Sequence, residues 1–173
     1  MVFGMTDAAG FPDIIPDDAA ISLVQQLIMV TYAHNREGRQ EYTEKLDAID
    51  WEGALLLLAA AKQVLIERHL KTINAVGREQ WIKDTAASAV SQHADWLRLR
   101  PGQMAAMLRS GLGDHDLAKA LPSELCGRLD ATVVAHLLGM LLDPYDSVAT
   151  EVSELLDAAE VLTRRRAFAD EFE

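Results

Sequence analysis

WEGALLLLAAAKQVLIERHLKTI, residues Trp51 to Ile73, holds the most apolar run of the chain and decides the fold. Its uninterrupted apolar part, Ala54 to Ala61, is eight residues long, whereas a membrane span needs about 20. Lys62, Gln63, Glu67, Arg68, His69 and Lys71 fill the second half, so the segment does not read as a membrane helix. A metal or proton-transfer scaffold fails on angle, because Glu67 and His69 lie about 200° apart around a helix. Leu55, Leu58, Lys62, Leu65, His69 and Ile73 follow one line, and Leu56, Val64 and Ile66 widen the apolar surface. Such a helix is apolar nearly all round at its start and amphipathic later, which places it in the middle of a bundle.

Working outward, Asp50 is an N-cap for this helix and Gly77 its terminator, giving a helix over 50–76. Upstream, Asp17 and Asp18 stand at the start of a helix over 18–36, with Ala20, Leu23, Val24, Leu27, Ile28 and Thr31 on one face. A short helix over 39–47 turns Tyr42 and Leu46 inward. Downstream, a helix over 78–99 carries Trp81, Ile82, Ala86, Ala89, Val90, Trp96 and Leu97. These three longer helices are expected to form the main bundle. Arg100-Pro101-Gly102 is the clearest break and a candidate sub-boundary. Short helices follow, GQMAAMLRS, HDLAKAL, SELCGRL and ATVVAHLLGMLL, punctuated by Gly111, Gly113, Pro122 and Asp130. A final helix spans 145–172. No segment alternates with the period of a strand. The expected fold is all-α: a single-domain helical bundle over 17–173 with a long central helix, a run of short helices and a long C-terminal helix. Residues 1–16, with Gly4, Gly10, Pro12 and Pro16, read as an extended arm.

Half of the 173 residues are apolar but only 6% aromatic, so the core must be aliphatic. The basic residues are mostly arginine and alanine is abundant, a composition expected of a bacterial or phage protein. The net charge is −11. Residues 1–18 and 147–173 each contribute −4, leaving −3 across 19–146. Acidic ends and a nearly neutral middle offer no concentrated basic face, so direct nucleic-acid binding is not expected. One cysteine, Cys126, rules out an intramolecular disulfide, and the acidic N-terminus lacks a signal peptide's basic start; a cytoplasmic location is expected.

The chemical motifs are thin. No histidine has a Glu three residues before it, and HExxH, GxSxG, GxxxxGK[ST] and GxGxxG are all missing. His93 and His136 sit in apolar stripes and read as core histidines, while Asp114 before His115 reads as an N-cap. No catalytic, cofactor-binding or metal-ligating set is therefore expected. The interaction candidates are the heptad-like stripe Val148, Val152, Leu155, Ala159 and Leu162, the arginines Arg164, Arg165 and Arg166, and Phe3 and Phe11 of the arm. They point to a non-enzymatic, self-associating interaction or assembly protein, forming a homo-oligomer or binding another protein. Two alternatives stand beside it. One is an acidic inhibitor or DNA mimic for a basic protein surface. The other is a helical enzyme with a composite site, which requires a pocket holding histidines beside buried carboxylates.

Overall fold

The computed structural model describes residues 17–49, 51–94, 98–116, 119, 121–143 and 146–171, the side chains of 123, 124 and 166–171 excepted. Among the described residues seven α-helices carry the fold: α1 (Asp18–Tyr32), α2 (Arg36–Ile49), α3 (Glu52–Leu70), α4 (Ala75–Gln92), α5 (Pro101–Ser110), α6 (Ser123–Leu141) and α7 (Val148–Glu171). No strand occurs among the described residues. No helix there is long and apolar enough to cross a membrane.

Local chemistry sets the ends. Asp17 caps α1, its Oδ1 accepting from the Ala20 backbone N–H at 2.8 Å. The same helix closes with Asn35 N–H bonded to Val30 C=O and His34 N–H to Thr31 C=O, the paired bonds of a Schellman motif. That motif puts His34 in the left-handed region at φ 54°, where glycine is the usual occupant. Pro101 opens α5 at its first position, where its missing N–H costs nothing.

The central segment behaves as its pattern requires. In α3, Ala54, Leu57, Leu58, Ala60, Ala61, Lys62, Leu65, Ile66 and Leu70 are all buried. The helix is contacted by α1, α6 and α7, and one continuous apolar core includes residues from both sides of the Arg100-Pro101 break. Trp51 lies under α6 at Gly127, where a Cβ would stand 2.7 Å from the indole ring. Only glycine lets the helix come this close.

Four expectations are corrected. The helix expected over 50–76 stops at Leu70, and Gly77 lies in the first turn of α4 rather than at a helix end. Asn74 decides this, its Oδ1 accepting from Gly77 N–H at 2.8 Å as the α4 cap. SELCGRL and ATVVAHLLGMLL form a single helix, α6, running straight through Asp130. Asp130 does not interrupt it because its carboxylate is engaged by another helix rather than by its own backbone. The partners of α3 are α1, α6 and α7, while α4 packs chiefly on α5. The expected Asp50 cap, residues 117, 118 and 120 of the expected 115–121 helix, and the arm 1–16 lie outside the described residues.

Leu58 is fully buried at the centre of this arrangement. Leu58→Asn is expected to cost about 3–5 kcal/mol through lost packing and an unpaired amide. Urea denaturation checks this; an unshifted midpoint contradicts the central placement of α3.

Candidate ligand-binding site

The spacing that buries α3 also carries Lys62 inward. Lys62 and Asp130 are 2% and 4% exposed, so neither charge is hydrated and each needs a protein partner. Lys62 Nζ donates to Asp130 Oδ1 at 2.6 Å and to Ser110 Oγ at 2.6 Å. Ser110 in turn donates to the Met107 carbonyl at 2.7 Å. One ion pair with a hydroxyl thus ties α3, α5 and α6 together. An ammonium has three N–H donors, and the third has no hydrogen-bond partner among the described residues, nor has Asp130 Oδ2. Burial pushes the Asp130 carboxyl up, and the adjacent ammonium opposes that shift.

These three polar groups lie in a cleft of about 580 Å³, a size typical of small-molecule sites. Leu55, Leu56, Ala59, Met107, Leu121 and Cys126 supply its apolar walls. Glu52, Gln63, His115 and Lys119 complete the lining. Cys126 is half-buried, donates weakly to the Leu121 carbonyl, and has its thiol pushed up chiefly by burial. It is a wall residue rather than a thiolate nucleophile.

The Ser110–Lys62–Asp130 order resembles a nucleophile, a base and an orienting acid. The hydrogen bonds run the wrong way for that chemistry. Lys62 donates to Ser110, and the serine proton is committed to a backbone carbonyl. Lys62 is engaged by Asp130 and donates to the serine rather than accepting from it, so the serine has no base to activate it. The arrangement can hold a ligand; it does not generate a nucleophile.

A second cleft, of about 510 Å³, gathers His34 and His93, just past the ends of α1 and α4, with His136 of α6. His34 stacks on His93 with ring centroids 4.7 Å apart, and His93 meets His136 edge-on at 5.8 Å. His69 of α3 donates from Nε2 to the Leu137 carbonyl at 3.2 Å and leans on Trp81. His93 and His136 are buried, as their apolar stripes require, but no local pattern predicts that they meet. No three acidic, cysteine or histidine side chains among the described residues are arranged to hold a metal. His136 is held below the usual range by burial first and then by His34 and His69. Burial lowers His69 likewise, against its bond to Leu137.

The expected interaction residues fall elsewhere. Val152, Leu155 and Ala159 are buried in the core of one chain, and Val148 and Leu162 pack against it. The stripe is thus already covered by the chain's own helices. Arg164 pairs with Glu160 at 3.2 Å and Arg165 is exposed. The Arg166 side chain, Phe3 and Phe11 lie outside the described residues.

No protein-family model matches the chain, and no curated protein or solved structure shows significant similarity to it. The site therefore rests on its own geometry. The sequence did carry a signal for it: Lys62 and Asp130 are single charges set in apolar stripes. On α6 the stripe is Gly127, Asp130, Val134 and Leu137.

Two outcomes follow. Lys62→Met leaves Asp130 buried without its counter-charge and is expected to cost about 3–5 kcal/mol, whereas Lys62→Met with Asp130→Leu recovers the loss. Chemical denaturation of the single and double variants measures both, and an additive double loss contradicts the pairing. The histidines act through pH. Their folded forms bind fewer protons than the unfolded chain, so their contribution is complete above the unfolded value of 6.5 and is lost as pH falls through the lower folded values. Asp130 acts in the opposite sense, losing stability as pH rises through its raised folded value. The difference between wild type and His136→Gln isolates the histidine. Its stability–pH slope between about pH 7 and pH 5 is expected to be shallower in the variant, and parallel curves contradict the assignment.

Proposed function

We propose that this protein is a non-catalytic binding protein whose α3–α5–α6 cleft takes a small amphipathic molecule, apolar in body and polar at one end. The observation that carries this reading is the spare N–H of buried Lys62 in a cleft with apolar walls. A donor left without a partner in such a place is an incomplete hydrogen-bond set that a ligand can complete. Size supports a small molecule: the cleft, of about 580 Å³, falls in the range of small-molecule sites.

The reading shares only its non-enzymatic character with the expected self-associating interaction or assembly protein, and it moves the binding surface from the C-terminal stripe to the cleft. Self-association through that stripe finds no support in residues already buried within one chain. An acidic inhibitor finds little either. Glu41, Glu79 and Glu160 are each tied to a base, and these lie on α2, α4 and α7 rather than on one helix face.

The neutral fluorescent probe N-phenyl-1-naphthylamine tests the cleft. Saturable, near-stoichiometric binding is expected, weakened about tenfold or more by Ala59→Phe, which fills the cleft with a ring worth several buried methylenes. No saturable binding, or unchanged binding to a folded Ala59→Phe variant, contradicts the proposal.

A further inference from the structure

The charge arrangement at the polar end of the cleft narrows the ligand, and this inference rests on the binding role proposed above. Lys62 and Asp130 cancel one another at 2.6 Å, so the buried charged groups at this end of the cleft carry no net charge. They still offer one unused donor, on Lys62 Nζ, and one unused acceptor, Asp130 Oδ2. We infer that the cleft selects an apolar molecule with a neutral head group that both donates and accepts a hydrogen bond, such as a primary amide or an alcohol.

Charged heads are rejected by symmetry. A carboxylate head would meet the Lys62 N–H but also the Asp130 carboxylate, already buried and in contact with that same ammonium. An ammonium head would meet Asp130 beside Lys62. In either case a third charge enters a desolvated site that holds a balanced pair, and like-charge contact in such a place costs more than the new bond returns. An uncharged head avoids that cost. Its oxygen accepts from Lys62 and its hydrogen donates to Asp130, leaving none of the four groups unpaired. Ser110 Oγ does not compete, since it already accepts from Lys62 and donates to Met107. The hydrocarbon body lies along Leu55, Leu56, Ala59 and Met107, which makes chain length a matter of cleft size and head group a matter of charge.

The test displaces bound N-phenyl-1-naphthylamine with four eight-carbon compounds at neutral pH: 1-octanol, octanamide, octanoate and octylammonium. The alcohol and the amide are expected to displace the probe at concentrations about tenfold below those of the two ions, the factor that one unpaired buried polar group imposes. Asp130→Asn leaves the Lys62 charge unbalanced, so octanoate is expected to become the preferred compound and to raise the melting temperature of that variant. Lys62→Met with Asp130→Leu removes the donor and the acceptor, and the order among the four compounds is expected to collapse. Equal displacement by all four, preference of the native protein for either ion, or an Asp130→Asn variant still favouring the alcohol overturns the head-group inference while leaving the cleft as a binding site. Failure of the probe itself to bind overturns the binding role, and the inference with it.

Discussion

The ion pair between Lys62 and Asp130 is the one fully buried ion pair among the described residues, and it constrains three helices at once. It joins the middle of α3 to α6, and through Ser110 it reaches the last turn of α5. Its cost is as informative as its presence. Removing two charges from water is expensive, and a pair of well-packed apolar side chains at such positions is often as stable or more so. Packing alone therefore gives no reason for it. What an apolar pair could not supply is a donor and an acceptor inside a cleft with hydrocarbon walls, and the geometry around Lys62 supplies both.

The same α3 pattern accounts for core and cleft together. A helix with apolar residues on nearly every side has more such surface than one bundle can cover. Leu57, Leu58, Ala61 and Leu65 go into the core, whereas Leu55 and Leu56 are left at the cleft, Leu56 being 36% exposed. The segment that first resembles a membrane span is better understood as a core helix with its surplus apolar face turned to a ligand. Its neighbour α6 has a comparable double role. Asp130 lies at one cleft and His136 at the other, about 9 Å apart along the helix axis at 1.5 Å per residue. One site holds a balanced charge pair; at the other, burial together with His34 and His69 holds His136 below its usual range.

Much of this was legible in the sequence, because it rests on periodicity. The all-α class, the burial of α3, the Asp17 cap and the break at Arg100-Pro101 all follow from local pattern and local chemistry. The interruptions were misread where a residue's partner is distant or its capping role is local but ambiguous. Asp130 reads as punctuation because aspartate competes with helix hydrogen bonds, and only a lysine 68 residues away explains its place inside a helix. Asn74 and Gly77 lie three residues apart, and either can mark a helix end; the side-chain bond from one to the other decides it. The heptad-like spacing of α7 was visible, but spacing alone cannot say whether the chain's own α3 or a second copy covers it. The cleft was hidden for a related reason. Two lone charges in two apolar stripes are a signal only once the stripes are known to face each other.

A crystal structure of the protein with octanamide tests the central claim most directly. The account predicts the amide oxygen within hydrogen-bond distance of Lys62 Nζ, the amide nitrogen on Asp130 Oδ2, and the chain along Leu55 and Met107. An octanamide with its head in solvent, or one lodged among His34, His93 and His136, would contradict it.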